Sequence, residues 1–560
     1  IASFGDVQFG EGAPLQQHLA EHIFGDDLFI DALAAAREVA EGVDPRNRLG
    51  ISGTRDPAHY IGFDWWRLME TLTHLTFYDG LQRECIRSWR KPGDMVTSFI
   101  GYDDPDANEV MARYFPWIEV FSGMQGVSIY SATSGDLGGY VRPDLTLTNR
   151  AQWHIEETAE LKSGIGKALL TAERTPAPIA LHYSQPSIHL GKMLGRPALG
   201  TLTSVAEIIK DLSLQFDFIS SAQLEAGVLA ERDYEAFIMA DSVAVTDEEL
   251  AAAEAYARSG GTVISFGATG AFTREGKPRP GTDVEALRWQ EPEEPADPAL
   301  LGRLVRRTPI GDGARIECGF LPADYRAFQP SGVAGETVDR YSANEQIASG
   351  WQRLFESLLL GLDVTPPAVV RNPDGTPRRY VLIVQFARGP IRYLGVMPRY
   401  FGGRYSRGGD EQRVDEGDFA PAVIELPNEA EVYDLRAGRR LGRTGRIETS
   451  LATGVAQLYA LLPAEVGEIT LDCPASAPAG SILIARCTIA GGGDQVVHWT
   501  LTAEGGETLP PNALNTLTEG GAGEATFRLP LDLSGRWTLT ARDVISGETA
   551  TQAVTIEAAM

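Results

Sequence analysis

The chain has 560 residues, 43% of them apolar, and a formal net charge of −27. At roughly 150 residues per domain, that length predicts three or four domains. So acidic a surface argues against nucleic acid or an anionic membrane as partner, because both attract basic proteins. No run of about 18 apolar residues occurs, so no transmembrane helix is expected. The chain opens at Ile1 without a signal-like segment, which reads as a parent protein whose N-terminal part is missing and leaves the compartment open. The cysteines Cys85, Cys318, Cys473 and Cys487 show no CxxC spacing, so neither a metal cluster nor a cofactor is expected. Cys473 and Cys487 share a β-rich segment; they either pair across strands or stay as free buried thiols, the second being the favoured reading.

Taken in order, residues 27–41 carry apolar side chains at helical spacing, with Asp26 or Asp27 available as N-cap. A strand at 48–52 runs into Arg55, Asp56, Asp64, Trp65 and Trp66. Three more segments repeat that form: 74–78 ends in Tyr78 and Asp79, 95–100 leads to Tyr102 and Asp103, and 126–131 ends in Tyr130 and Ser131. Helices at 66–72, 80–90 and 106–115 alternate with them, which implies a parallel sheet whose strand ends form a ligand-facing rim. Four such units are half of an eight-stranded barrel.

A helix is expected over 151–172. A second α/β unit follows, with strands at 179–183, 215–219, 236–240 and 262–266 and a helix at 203–212. Its helix 247–259 has Thr246 as N-cap, Glu249 at the capping-box position and Gly260-Gly261 at its end. Helix 344–361 closes this unit, after a Pro/Glu-rich loop at 290–298. Beyond Pro366-Pro367 the pattern turns to period two, with a hairpin of 379–386 and 391–397 and strands at 421–426, 430–435 and 455–462. From about residue 467, short strands and Gly-rich turns read as a small β-sandwich with Trp499 and Trp537 in its core.

Tyr140 to Asp144, Ile179 to Ser187, the order strand–Thr246-capped helix–Gly-Gly–strand, and Tyr433 to Gly438 together resemble the β-galactosidases of glycoside hydrolase family 42. The match is spread over roughly the first 470 residues and rests on the order of the pieces. The resemblance implies a multidomain α/β plus β protein. Residues 1–150 are the C-terminal half of a (β/α)8 TIM barrel, and 151–365 a glutamine-amidotransferase-like α/β domain of the trimerisation type. Residues 366–466 are a β domain, and 467–560 an immunoglobulin-like β-sandwich. It further implies a carbohydrate substrate, a homotrimer and two catalytic Glu residues. The acid/base Glu would precede Ile1. The nucleophile strand would be Met95 to Ile100, where Gly101-Tyr102 stand in place of Glu and Asp103 and Asp104 are the nearest carboxylates.

Glycoside hydrolysis needs two carboxyl groups about the scissile bond. Asp103 and Asp79 are therefore the catalytic candidates, the competing reading being that each caps a helix or binds a loop backbone. Trp65, Tyr78 and Tyr102 are the candidates for stacking on a sugar face, with Trp66 assigned to the core. Arg55 and Asp64 either bond sugar hydroxyls or pair with each other. His59 and His74 have no metal-like spacing. With no Cys between Cys85 and Cys318, the second unit lacks a glutaminase nucleophile and reads as structural. The loop Arg399 to Arg407 is a ligand or subunit contact, or a solvated loop. The expected function is hydrolysis of a β-linked galactoside or related glycan; the alternative is a catalytically silent carbohydrate-binding or assembly protein with a degenerate barrel.

Overall fold

The computed structural model describes residues 14–78, 80–100, 106–129, 132–133, 139–288, 302–323, 325–329, 338–401, 413–505 and 508–558. The first sheet has four parallel strands, β1 (Gly50–Thr54), β2 (His74–Phe77), β3 (Met95–Ile100) and β4 (Gly126–Ile129), in sequence order. Helix α1 (Leu15–Val43) precedes it, and α2 (Trp65–Thr71), α3 (Gln82–Trp89) and α4 (Glu109–Phe121) connect its strands. Helix α1 begins twelve residues ahead of the expected 27–41. Asp26 is thus no cap: it lies mid-helix, 2% exposed, and accepts from the Gly62 N–H at 2.6 Å and from His189 Nε2 at 2.8 Å.

The expected helix 151–172 is broken. Helix α5 (Asn149–Glu160) passes through a wide turn at Leu161–Ile165 into α6 (Gly166–Leu170). The break is at Gly164, whose φ of +117° suits glycine, and a Cβ there would meet Val544 Cγ2 at 2.4 Å. The chain then gives two residues, β5 (Glu173–Arg174), to a later sheet before entering the second α/β unit.

That unit is a six-stranded sheet in the order β10-β11-β9-β8-β6-β7, parallel except for β10. Its strands are β6 (Ile179–Tyr183), β7 (Phe216–Ser220), β8 (Ala236–Ala240), β9 (Thr262–Phe266), β10 (Val305–Ile310) and β11 (Gly313–Cys318). Helices α7 (Gln185–Met193), α8 (Ala198–Asp211), α9 (Asp247–Arg258) and α10 (Val338–Leu358) accompany it. Both halves of the Thr246–Glu249 capping box form, with Thr246 N–H to Glu249 Oε2 at 2.6 Å and Glu249 N–H to Thr246 Oγ1 at 3.1 Å. The expected 290–298 loop lies outside the described residues.

The third sheet follows the path β12-β15-β17-β14-β13-β5, with β16 on β15. It uses β12 (Val369–Arg371), the hairpin β13 (Val381–Arg388) and β14 (Ile391–Pro398), β15 (Ala420–Asp434), β16 (Arg439–Leu451) and β17 (Gln457–Leu462). The two strands expected at 421–426 and 430–435 are one, because Pro427 falls at a register shift within β15 rather than in a turn. The C-terminal strands form two packed sheets of three and five strands, with Trp499 fully buried and Trp537 6% exposed. All four cysteines are free and buried. Burial pushes the Cys473 and Cys487 thiols up to about 11, so neither is reactive at neutral pH.

Apolar packing joins these layers. One buried cluster runs from α4 through the wide turn Leu161–Ile165 and α6 into the third sheet and the sandwich; a second joins α2 and α3 to the six-stranded sheet. No helix among the described residues is long and apolar enough to cross a membrane.

Candidate functional site at the strand ends of the first sheet

Strand alternation gives the four-stranded sheet two unlike faces. Leu75, Phe77 and Val96 are buried against the helices. The other face carries Ser52, Thr76, Thr97 and Ser128, with Ser52 in register with Thr76 and Thr76 with Thr97. Thr76 Oγ1 lies 3.3 Å from Thr97 Oγ1, and Thr97 Oγ1 lies 3.0 Å from Ser128 Oγ, so the hydroxyls form a chain across three strands. Toward the strand ends the same face carries Tyr78 and Phe99, edge to face at 5.6 Å. Thr76 and Thr97 are buried, at 5% and 9% exposed, so the accessible part of this face is Ser52 and Ser128 with the rings of Tyr78 and Phe99, polar groups beside an apolar plate as a sugar requires. The hydroxyl row escaped the sequence reading, although one Thr or Ser near the middle of each strand was its signal.

The loops beyond the strands brace each other. Asp56, after β1, accepts from the Gln82 N–H at 3.0 Å and so holds the start of α3, while Thr54 Oγ1 donates to Gln82 Oε1 at 2.7 Å. Gly80 is required at this crossing: its φ is +147°, and a Cβ would lie 2.3 Å from Asp56 Oδ1. Asp56 is therefore committed to the backbone.

Of the residues singled out from the sequence, Tyr78 is half-buried beside Gly53, with its ring 3.6 Å from where a Gly53 Cβ would be. Arg55 is exposed at the end of β1 and pairs with no acid among the described residues, so the alternative of an Arg55–Asp64 ion pair is not realised. Asp64 is the N-cap of α2, accepting from the Arg67 N–H at 3.3 Å. Burial is the largest influence on its carboxyl and pushes it up to about 6. Trp65 is fully buried rather than open to a sugar: its ring belongs to the core between α2 and the six-stranded sheet, and its backbone N–H donates to Tyr183 Oη at 3.2 Å. Trp66, assigned to the core, is half-buried and meets Trp89 edge to face at 5.7 Å. Asp79, Tyr102 and Asp103 lie outside the described residues, as does most of the Arg399 to Arg407 loop. No group of three or more His, Cys, Asp or Glu able to hold a metal ion occurs among the described residues.

The role of Asp64 is testable through stability. Asp64→Ala removes the cap and is expected to cost about 1 kcal/mol. Asp64→Asn keeps the cap and removes a charge that burial disfavours. It is expected to raise the melting temperature at pH 7 but not at pH 4, where the folded-state carboxyl is already protonated. Equal losses for Ala and Asn at pH 7 would contradict the assignment.

A parallel sheet, an α/β unit with a six-stranded sheet and β-rich units follow one another along the chain. No protein-family model and no curated protein matches the chain, but solved structures do. A catalytic mutant of a β-galactosidase of glycoside hydrolase family 42 from G. stearothermophilus superposes with a TM-score of 0.58, over 82% of this chain and 71% of that one, at 12% identity. The β-galactosidase from Bacillus circulans sp. alkalophilus gives 0.56 over 80% and 68%, at 12% identity. That from Rahnella sp. R3 gives 0.56 over 82% and 71%, at 10% identity. At such identities the likeness is one of fold.

Proposed function

We propose that the protein is a glycoside hydrolase of the β-galactosidase kind, acting on a β-linked galactoside or related glycan. The observation that carries this reading is the hydroxyl and aromatic face of the first sheet, in a chain whose fold superposes on β-galactosidases. The four parallel strands correspond in this reading to half of a (β/α)8 barrel, and the sugar lies over Tyr78 at the strand ends. Asp103 and Asp79 follow β3 and β2 and are the proposed catalytic carboxyl groups. One of the two acts as the nucleophile on the anomeric carbon as the glycosidic bond breaks, while an acid/base carboxyl from outside these four strands protonates the leaving oxygen. Tyr102 and Arg55 complete the proposed sugar contacts. The six-stranded unit is read as amidotransferase-like in fold, without its nucleophile, and as the contact surface of a homotrimer.

A second reading has an observation of its own. None of the strands Gly50–Thr54, His74–Phe77, Met95–Ile100 and Gly126–Ile129 contains Asp or Glu, and Asp56 is tied to Gln82. That pattern favours a silent barrel that binds carbohydrate without cleaving it. A screen of aryl glycosides and galacto-oligosaccharides, with Asp79→Asn and Asp103→Asn beside the wild type, separates the two. Turnover abolished in one variant, with its unfolding transition intact, supports the hydrolase. Sugar binding without turnover on any substrate supports the silent barrel.

A further inference from the structure

A cavity of about 450 Å³ lies where α3 and α4, the six-stranded unit and the third sheet meet, bordered on one side by Asp56 and Gly80 of the strand-end loops. That volume suits a small molecule rather than a few waters. Cations line it. Arg87 is paired with Glu84 and Asp217, both at 2.7 Å, and Lys210 with Glu207 at 3.1 Å and Glu84 at 3.4 Å. Arg399 is paired with Glu207 at 2.6 Å and with Asp211. These ion pairs engage Glu84 and Glu207 at the wall; Asp56, the third acid there, accepts from the Gln82 N–H.

Two cations remain. Arg174, on β5, donates to the Gln215 side-chain carbonyl and pairs with no carboxylate among the described residues. Arg326 is exposed at the mouth, with no hydrogen bond or ion pair among the described residues. Burial, followed by the charge of Arg87, lowers the Arg174 guanidinium to about 9. Burial alone would raise Glu84, yet Lys210 and Arg87 hold it down to about 2. The Glu84 shift reports the cations beside it, whereas the Arg174 shift is first an effect of burial, with Glu84 and Asp217 partly offsetting the charge of Arg87.

We propose that this junction cavity binds a small phosphate ester, its dianion gripped by Arg174 from the wall and Arg326 from the mouth. Guanidinium forks match tetrahedral dianions in shape as well as charge. Because α3, α8 and β5 all border the cavity, the ligand ties three units together and stabilises the folded chain by mass action.

The test is calorimetric titration and thermal unfolding of the whole chain with glycerol 3-phosphate and inorganic phosphate, against sodium chloride at equal ionic strength. Arg174→Gln and Arg326→Gln are run beside the wild type. Arg326 is exposed, so its variant is expected to melt as the wild type does without ligand. The expected result is saturable binding of glycerol 3-phosphate, weakened at least about tenfold in each variant. Binding of inorganic phosphate but not the ester would overturn the ester assignment. A response matched by chloride, or unchanged in both variants, would overturn the site.

Discussion

Replacing Arg399 by methionine is expected to destabilise the protein by about 3–5 kcal/mol, because it strands two buried carboxylates. Arg399 follows β14 in the third sheet, while its partners Glu207 and Asp211 stand on α8 of the six-stranded unit. Its side chain is only 10% exposed, and Asp211 is fully buried. Asp211 also accepts from Tyr325 Oη and Gln329 Nε2, each at 2.7 Å, and the guanidinium sits 5.0 Å from the centre of the Phe401 ring. The opposing charges hold the guanidinium protonated and Glu207 ionised, against a burial that favours the neutral forms of both. Arg399→Lys keeps the charge but loses the fork, and should fall between the two. The variant Arg399→Met with Glu207→Gln and Asp211→Asn removes all three charges and should recover much of the loss. Urea unfolding reads these differences as midpoint shifts. A single-variant loss below about 1 kcal/mol would show the cluster to behave as an exposed pair does.

Between about pH 6.5 and 4, His154 should destabilise the protein as the pH falls, against the opposite contribution of Asp64, whose carboxyl burial raises to about 6. The His154 ring is 2% exposed on α5, and its Nδ1 is hydrogen-bonded with the Tyr140 hydroxyl at 2.5 Å. Burial, with the charge of Arg150 second, lowers it to about 3. Between that value and the unfolded value near 6.5 the unfolded chain binds a proton that the folded chain does not, so stability rises with pH across the window. The contribution is complete above the unfolded value and lost as the pH falls toward 3, amounting to about 4–5 kcal/mol at most. His22 and His59 are also lowered, mainly by burial, and act in the same direction. His154→Gln should flatten the dependence of stability on pH between 4 and 6 by up to about 1.4 kcal/mol per pH unit. Parallel profiles for variant and wild type would contradict the assignment.

How far each feature could be read from the chain depended on how local its cause is. Strands 95–100, 179–183, 236–240 and 262–266 coincide with β3, β6, β8 and β9, because each is a short apolar or β-branched run between clear breakers. The Thr246–Glu249 box needs only four consecutive residues and was legible for that reason. Strands β10 and β16 were not legible. β10 is mostly exposed along its length, and β16 places Arg and Gly among its few apolar residues, so neither shows the alternation of a half-buried strand. They are strands because an existing edge supplies hydrogen-bond partners.

At the candidate site the division falls between neighbouring residues. Trp65 and Trp66 are indistinguishable by type; only the position of Tyr183, 118 residues on, puts Trp65 wholly inside. Asp64 could be read as a cap or as a ligand until α2 placed the Arg67 N–H over it. The rim of hydroxyls and rings likewise exists only because parallel pairing brings Thr76, Thr97 and Ser128 side by side. Periodicity and capping act within a few residues, so composition and spacing suffice to reveal the elements and their order along the chain. Burial, charge pairing and shared sites depend on groups tens to hundreds of residues apart, as Arg399 and Asp211 are. Their desolvation is settled only when the sheets and helices pack.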